Sequence, residues 1–353
     1  MHHRSTHLQT RKSMRWRRLI LVLTSAALTT VSVGQHPVTA QQPPSTGSAH
    51  SQYQVVHGWP LLPEGQLLGQ VSGVGVDSHN HVFVFRRAEN SALGGQPAPT
   101  KPITSPAVLE FDGATGKLLS SWGENRFIAP HGLTVDRQDN VWLTDIALHQ
   151  VFKFDHSGKL LLSLGEKEVS GLDGSHFNKP TDVAVAGDGS VYVSDGYGNS
   201  RVVKLSPEGR LLLQWGTKGT APGQFDLPHG ITLDQSGKVY VADRSNKRVQ
   251  IFDNAGRYLA EWKGTEYGRP WAVRMGADGY MYVIDGGDLP TAPPDRARVL
   301  IVDLNGKIVD SFGRFGNYDG QFVWPHDVAV APDGAVYVGD VLTGMRVQKF
   351  LRR

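Results

Sequence analysis

Short runs of alternating apolar and polar residues recur along the chain and are separated by turn residues. One such unit contains four runs, at His131–Asp136, Asn140–Asp145, Gln150–Phe154 and Lys159–Gly165. Runs of this length and alternation predict β-strands with at least one buried face. Tight Asp-Gly turns, as at Asp188-Gly189 between the first and second runs of another unit, favour hairpins. The pattern therefore predicts an antiparallel unit of four strands.

Six copies of this unit cover the chain from Gly73 to Phe350. They start at positions 73, 132, 182, 230, 272 and 327, so that successive starts are 42 to 59 residues apart. Four strands in a period of roughly 40 to 50 residues are typical of a propeller blade. We therefore expect an all-β, six-bladed β-propeller.

The sixth copy ends at Phe350 without a fourth strand. The segment Tyr53–Trp59, far upstream, resembles the missing outer strand of that copy. If it pairs with the last blade, it closes the ring and removes the exposed sheet edges of an open array. The sequence thus predicts a ring closed by an N-terminal strand.

The N-terminal segment has the pattern of a signal peptide. Basic residues from Arg11 to Arg18 precede a largely apolar run at Leu19–Val33, and Val38-Thr39-Ala40 offers the small residues of a cleavage site. The run is shorter than the roughly 20 residues of a membrane span, although an uncleaved anchor stays open. We predict a signal peptide at 1–40, a disordered spacer at 41–52 and a propeller domain at 53–353. The protein would then be exported, either to the periplasm or out of the cell, and free of the membrane after cleavage.

Composition narrows the chemistry. The chain has no cysteine, which excludes disulfides, thiolate metal ligands and cysteine nucleophiles. Its formal net charge is +3, but residues 1–40 hold six basic and no acidic residues, so the mature chain has a charge near −3. Nucleic-acid binding is therefore not expected. We expect a monomer that acts on a small molecule or a peptide.

Three histidines mark the first strand of alternate blades. His131, His229 and His326 each follow a proline at the start of that strand, whereas the odd-numbered blades carry Ser72, Thr181 and Trp271 at this position. A lone histidine there could simply cap a turn. Pro180 and Pro270, however, precede the odd-blade positions too, so turn chemistry is shared by most blades and the histidine is not. Alternate blades lie about 120° apart, so the three imidazoles should meet on the axis and leave an open position, as in catalytic metal sites.

Other residues are expected at the same face. Second strands run antiparallel to the first strands, so their ends should lie beside the histidines; these ends include Arg86, Arg87, Tyr197 and Arg244. Long insertions at Ala88–Pro106 and Gly286–Arg296 also leave from second strands and should rim this mouth. Aspartates recur at the second-strand ends and are expected to cap turns, without a chemical role: Asp145, Asp195, Asp243, Asp285 and Asp340.

Several longer stretches resemble the peptidyl-α-hydroxyglycine α-amidating lyase family. The resemblance covers about Tyr53 to Phe350 and is carried by the following segments: Leu68-Gly-Gln-Val-Ser-Gly73, Pro130-His-Gly-Leu133, Asp145-Ile-Ala-Leu-His-Gln-Val-Phe152, Pro180-Thr-Asp-Val-Ala-Val185, Ser194-Asp-Gly-Tyr-Gly-Asn-Ser-Arg201, Ala242-Asp-Arg244 and Pro325-His-Asp327. It implies a propeller of the NHL-repeat type. It also implies that the protein cleaves the C–N bond of a peptidyl-α-hydroxyglycine to give an amide and glyoxylate.

The resemblance also implies roles for individual residues. His131, His229 and His326 would hold zinc, and Tyr197, Arg87 and Arg244 would be the catalytic tyrosine and arginines. Asp327, with the backbone carbonyls of Val74 and Leu133, would hold a structural calcium ion. A cysteine that follows the tyrosine in animal members is Gly198 in this chain.

Two other readings stay open at the level of sequence. A non-enzymatic NHL-repeat propeller could bind a protein or glycan on one face and keep zinc only as a structural ion. A lactonase-like propeller agrees less well, because such sites centre on carboxylate and asparagine ligands around calcium. A different α-hydroxyglycine derivative also stays open as the substrate.

Overall fold

The described strands form six antiparallel sheets of four strands each, in a computed structural model that describes residues 51–91, 97–287 and 296–353. The only helical segment in those ranges is a 3₁₀ turn at Ala88–Asn90. No helix in this part of the chain is long and apolar enough to cross a membrane. The predicted signal peptide at 1–40 and most of the spacer at 41–52 lie outside the described residues and stay predictions.

The first three blades follow one another along the chain, each as a meander from its first to its fourth strand. Blade one consists of β2 (Val71–Val76), β3 (His81–Arg86), β4 (Val108–Asp112) and β5 (Leu118–Trp122). Blade two consists of β6 (Pro130–Val135), β7 (Val141–Asp145), β8 (Gln150–Phe154) and β9 (Leu160–Leu164). Blade three consists of β10 (Pro180–Val185), β11 (Val191–Asp195), β12 (Arg201–Leu205) and β13 (Leu211–Trp215).

The other three blades repeat this order. Blade four consists of β14 (Pro228–Leu233), β15 (Val239–Asp243), β16 (Arg248–Phe252) and β17 (Tyr258–Lys263). Blade five consists of β18 (Pro270–Met275), β19 (Met281–Asp285), β20 (Arg298–Val302) and β21 (Ile308–Phe312). Blade six consists of β22 (Pro325–Val330), β23 (Val336–Asp340), β24 (Arg346–Arg352) and, from the N-terminal end, β1 (Tyr53–Val55).

The predicted ring closure is confirmed. Strand β1 pairs antiparallel with β24, with Tyr53 opposite Arg352 and Val55 opposite Phe350. The ring of Tyr53 stacks on Phe312 of blade five at a centroid distance of 4.7 Å, and its hydroxyl lies 2.7 Å from that of Tyr282. A strand from the start of the domain therefore joins the last two blades.

The hydrophobic core lies between blades. Each of the six buried clusters draws its residues from one pair of adjacent sheets, such as Trp142 and Val151 of blade two with Val183 and Val203 of blade three. First, second and third strands are buried on both faces, whereas fourth strands such as β13 alternate toward solvent. Full burial of one valine contributes about 1.5–3 kcal/mol, so every interface between blades is individually stabilising.

The aspartates at the ends of second strands do cap turns. Asp145 Oδ2 accepts hydrogen bonds from the backbone N–H groups of Ile128 and Ala129, and its Oδ1 accepts those of Ala147 and Leu148. Asp340 likewise accepts those of Val323 and Trp324. These bonds fasten the segment before each first strand to the end of the second strand, which fixes where the first strand begins.

A β-bulge interrupts the start of every first strand. In blade four, Pro228 pairs with Asp243 and Gly230 pairs with Ala242, so that His229 between them has no partner. The same shift surrounds His131 and His326. Proline suits this position because it has no N–H to donate to a ladder, and a bulge re-aims the side chain beside it. The position that carries a histidine in alternate blades is therefore the one that has no partner on the neighbouring strand.

Candidate functional site

The three predicted ligands meet on the axis of the ring. The ring centroids of His131, His229 and His326 are 4.7, 4.7 and 4.9 Å apart, and their planes are inclined by 70–73° to one another. One ligand nitrogen from each lies within 4.8 Å of the other two. All three side chains are buried. The convergence that the alternation of histidines predicted is thus present.

Backbone carbonyls of the odd blades orient the imidazoles. Nδ1 of His131 lies 2.7 Å from the carbonyl oxygen of Thr181, Nδ1 of His229 lies 2.7 Å from that of Trp271, and Nδ1 of His326 lies 2.7 Å from that of Ser72. A carbonyl oxygen can only accept, so each Nδ1 carries the proton and each Nε2 keeps its lone pair. Such an outer contact fixes the tautomer and the ring orientation of a metal ligand.

This ring of carbonyls was not foreseen from the sequence. Ser72, Thr181 and Trp271 occupy the ligand position in the odd blades and have unlike side chains. The contact to the histidines comes from their backbone carbonyls, which the side chains do not reveal. The signal that could have revealed it is the glycine after two of the histidines. A Cβ at Gly132 would lie 2.5 Å from the Thr181 oxygen, and one at Gly230 would lie 3.0 Å from the Trp271 oxygen. Glycine therefore lets the accepting carbonyl of the next blade approach.

Burial keeps the three imidazoles neutral. Burial and, to a smaller extent, the nearby charge of Arg87 lower the pKa of His131 to about 3. Burial likewise lowers the pKa of His229 and of His326 well below the usual value. The neutral form is the one that binds a metal ion, so the site is ready for a cation near neutral pH.

Tyr197 lies on the open side of the histidine cluster. Its hydroxyl is 3.3 Å from Nε2 of His131 and 3.2 Å from Nε2 of His229. The loop that carries it is held by the bond from Gly198 N to Asn178 O, at 2.9 Å. A Cβ at Gly198 would lie only 2.1 Å from the Asn178 side chain, so the absence of a larger residue there follows from packing.

Both predicted arginines border the same site. Nη1 of Arg244 donates to the Tyr197 hydroxyl at 3.1 Å, and its guanidinium lies 3.9 Å above the centre of the Trp271 ring. Arg87 donates from Nε to Pro130 O at 3.1 Å and from Nη1 to Gln70 Oε1 at 2.7 Å. These contacts hold two positive charges at the mouth. The structure therefore brings Tyr197, Arg87 and Arg244 together with the three histidines.

Arg86 does not belong to this mouth. Although it ends the same strand as predicted, it points into blade one, where Nε donates to Pro106 O and Nη1 donates to Leu67 O. Neighbouring residues in a strand face opposite ways, so only one of the pair can reach the axis. Glu89 accepts hydrogen bonds from Thr104 and Ser105, which fastens the ends of the first insertion together. Residues 92–96 and 288–295 of the two insertions lie outside the described residues.

A cavity of about 480 Å³ lies beside Tyr197. It is lined by residues of blades three and four, among them Leu172, Asn199 and Leu227. The site thus combines a buried cluster of neutral donors with an adjoining space on the solvent side. A substrate could place a short anionic end near the arginines and a longer remainder in this cavity.

The residues expected to hold calcium are together, but an arginine takes up their donors. Nη1 and Nη2 of Arg274 contact Asp182 at 2.6 and 3.0 Å. Nη2 also lies 3.1 Å from Oδ1 of Asp327 and donates to Leu133 O at 3.2 Å. Val74 meets Asp327 through its N–H, at 3.1 Å, and not through its carbonyl. Because a guanidinium already neutralises these carboxylates, the calcium expectation for Asp327, Val74 and Leu133 does not fit the structure.

Replacing Arg274 by alanine is expected to destabilise the fold. Asp182 and Asp327 would stay buried without a counter-charge, and removal of one partner from a buried ion pair costs about 3 kcal/mol or more. Chemical denaturation of both proteins would measure the loss. We expect added Ca²⁺ to restore part of the stability of the Arg274→Ala variant and to leave the wild type unchanged. An equal response of the wild type to Ca²⁺ would contradict this assignment.

Comparison with known proteins agrees with the fold. The NHL repeat family matches residues 177–205, 225–252 and 322–350. The chain is 39% identical over 290 residues to peptidyl-glycine alpha-amidating monooxygenase B of Xenopus laevis, with 77% of this chain covered. It spans only 33% of the length of that relative.

Another relative matches over most of its length. The probable peptidyl-alpha-hydroxyglycine alpha-amidating lyase pgal-1 of Caenorhabditis elegans is 31% identical over 299 residues, which cover 80% of this chain and 82% of the relative. Among solved structures, a streptogramin B lyase has a TM-score of 0.56 at 14% identity, covers 85% and 98% of the two chains, and supports the fold alone. By its match to pgal-1, the chain belongs to the peptidyl-α-hydroxyglycine α-amidating lyase family.

Proposed function

We propose that the protein is a zinc-dependent lyase that cleaves the C–N bond of a peptidyl-α-hydroxyglycine, or of a related α-hydroxyglycine derivative, to an amide and glyoxylate. One observation carries the proposal: the Tyr197 hydroxyl lies within 3.3 Å of two of three converging Nε2 atoms and is contacted by Arg244. A base, a cation site and an anion-binding arginine are thus assembled in a chain of this family. A propeller that only binds a partner has no need of a tyrosine held in this position.

The charges at the mouth fit this substrate class. The three histidines are neutral donors, so a bound divalent ion keeps its full charge, and Arg87 and Arg244 add two more positive charges. An α-hydroxyglycine end carries a carboxylate and acquires a negative oxygen when its hydroxyl loses a proton. Arginine binds a carboxylate through two parallel hydrogen bonds. We therefore assign the carboxylate of the substrate to one of these arginines.

The protein residues account for the proton. The Tyr197 oxygen removes the proton from the α-hydroxyl group, and Arg244 and Arg87 place positive charge beside the negative oxygen that forms on the substrate. The electron pair of the O–H bond forms the carbonyl of glyoxylate as the C–N bond breaks. The electrons of that bond go to the amide nitrogen, which receives a proton in turn. Atoms and protons then balance without an oxidant or an added water molecule.

Zinc at the three Nε2 atoms would supply a Lewis acid that polarises the α-hydroxyl group and lowers its pKa. Three neutral imidazoles with one open position are typical of catalytic zinc sites, although imidazole ligands also accept other divalent metals. We assign zinc because three histidine ligands with a fourth position open to water or substrate are a known donor set of catalytic zinc. The carbonyls of Thr181, Trp271 and Ser72 hold the ligands in place from behind.

We also infer that the protein acts outside the cytoplasm, in the periplasm or as a secreted monomer. The basic and apolar segments within 1–40 support this. A small-molecule or peptide substrate, and no nucleic acid, follows from the site and from the charge of the mature chain.

The test is release of glyoxylate from a synthetic peptidyl-α-hydroxyglycine by the purified protein. We expect release that stops after removal of metal by a chelator and returns when Zn²⁺ is added. A folded, zinc-loaded protein that releases no glyoxylate from any α-hydroxyglycine derivative would overturn the proposal. It would favour the propeller that binds a protein or glycan instead.

A further inference from the structure

A second group of metal-binding side chains lies at the opposite end of the blades. It consists of Asp77 after β2, His81 at the start of β3, Glu110 in β4 and His156 in the turn after β8. Consecutive strands in a blade are antiparallel, so the turn after a first strand and the turn after a third strand lie at the end of the blade away from the first-strand starts, where the axial histidines lie. We propose that these four side chains bind a divalent transition metal that joins blades one and two.

The spacing of the four ligand atoms matches a tetrahedral ion. Oδ2 of Asp77 lies 2.9 Å from Nε2 of His156 and 3.1 Å from Nδ1 of His81. Oε1 of Glu110 lies 3.4 Å from Nε2 of His156 and 3.2 Å from Nδ1 of His81. Metal–ligand bonds of about 2.0–2.1 Å place tetrahedral neighbours about 3.3 Å apart. The observed edges are centred close to this value.

Both carboxylates have one oxygen tied down and the other turned toward the imidazoles. Oδ1 of Asp77 accepts the backbone N–H groups of His79 and His81 at 2.9 and 2.7 Å. Oε2 of Glu110 accepts the hydroxyl of Ser120. Such outer contacts orient the ligands of a metal site. The ring of His156 is placed by an edge contact with Phe83 at 5.3 Å.

An unsatisfied ring nitrogen of His81 indicates that the site binds an ion. Its Nδ1 is buried yet makes no hydrogen bond, although two carboxylate oxygens lie within 3.2 Å of it. Asp77 and Glu110 are themselves almost completely buried. Two buried carboxylates beside two imidazoles need positive charge, because an uncompensated buried charge is very costly. A cation at the centre satisfies all four groups at once.

At the equivalent turns of other blades, protein side chains contact the buried aspartate and no ion is needed. In blade two, Asp136 accepts the indole N–H of Trp142 at 2.9 Å and lies 3.8 Å from the ammonium group of Lys153. In blade four, Asp234 accepts the hydroxyl of Tyr240 at 3.0 Å. Blade one instead has Phe83 at the Trp142 position and Glu110 at the Lys153 position. Blade one thus has a phenyl ring, which has no hydrogen-bond donor, in place of the indole, and a carboxylate in place of the ammonium group.

The mixed donor set defines the class of ion. Imidazole favours Zn²⁺ and its neighbours in the first transition row, and carboxylate is accepted by all of them, whereas Ca²⁺ prefers six or more oxygens. His81 and His156 keep a third or so of their side chains exposed, so an ion can enter from solvent. Three ligands come from blade one and one from blade two. The ion would therefore stabilise the interface between them.

Elemental analysis of the full chain after equilibration with Zn²⁺ tests the proposal. We expect His156→Ala to lose about one equivalent of zinc relative to the wild type, as one four-ligand site binds one ion. The matched control is His176→Ala, which removes a partly exposed histidine paired with Asp173 and Glu166. The His156→Ala variant should also lose the rise in unfolding temperature that Zn²⁺ gives to the chelator-treated wild type.

Equal zinc content in the wild type and in His156→Ala would overturn the proposal. It would mean that protons on the two imidazoles balance the carboxylates instead. If His156→Ala does not fold, Glu110→Gln provides the same test with nearly unchanged shape. Glyoxylate release should persist in either variant, so failure of this site and failure of the axial site are distinguishable.

Discussion

Replacing His229 by alanine is expected to lower kcat/KM for glyoxylate release by at least about a thousandfold. Lewis-acid stabilisation by a metal ion is worth several kcal/mol in the transition state, and each 1.36 kcal/mol is a factor of about ten in rate. His229 supplies one of three Nε2 donors, and its Nδ1 is anchored on Trp271 O at 2.7 Å. Loss of one ligand of three leaves two, which is too few to hold the ion in place. The measurement is steady-state glyoxylate release together with bound zinc.

The control for His229→Ala is His57→Ala. His57 is well exposed at the protein surface and pairs with Asp319 at 2.6 Å, so its removal should leave both activity and zinc content unchanged. Full activity of a His229→Ala variant that has lost one equivalent of zinc relative to the wild type would contradict the metal-dependent mechanism. An inactive variant with full zinc content would instead assign His229 a role other than that of ligand.

The axial site could be predicted because its signal is a contrast between repeats. Pro130-His131, Pro228-His229 and Pro325-His326 share their turn with blades that lack the histidine, so the difference has no local explanation. Ring symmetry then turns a spacing along the chain into a distance in space. Comparison of the repeats also predicted the closure by β1. The sixth copy lacked its fourth strand, and the segment at Tyr53–Trp59 was a strand that belonged to no other copy.

The features that the sequence did not predict depend on register and on backbone atoms. The repeat pattern placed both Arg86 and Arg87 at the mouth, and only the family resemblance singled out Arg87, because a shift of one residue decides which of them reaches the axis. The carbonyls behind the histidines come from residues with unrelated side chains. Arg274 lies in the first strand of an odd blade and reaches across the axis to Asp182 and Asp327, a contact that spans three blades. Such contacts require the assembled ring.

Two charge arrangements therefore share one architecture. Above, neutral imidazoles held by carbonyls leave room for a cation at the axis. Below the histidines, the Arg274 guanidinium lies between the carboxylates and lines a cavity of about 450 Å³ that opens at the other face. The position at Arg274 thus carries its own positive charge, whereas the position between the three histidines has only neutral donors around it.

Replacing Tyr197 by phenylalanine is expected to lower kcat for glyoxylate release by about 10²–10⁴-fold, the usual contribution of a positioned general base. The phenyl ring keeps its packing against His131 and His229, at centroid distances of 5.2 and 5.7 Å, so the site should keep its shape. Only the oxygen between Arg244 and the two Nε2 atoms is removed. Zinc content should be unchanged, and KM should change far less than kcat, since the arginines that hold the substrate remain.

Tyr318→Phe is the matched control, because Tyr318 is 80% exposed and its ring is not part of the site. It should retain full activity. If Tyr197→Phe retains full activity with zinc bound, another group removes the hydroxyl proton and the placement of Arg244 beside the hydroxyl serves binding alone. If Tyr197→Phe loses its zinc along with its activity, the hydroxyl acts on the metal site and not on the substrate. Measuring the loss of activity and the loss of zinc together therefore decides whether the Tyr197 oxygen acts on the substrate or on the metal site.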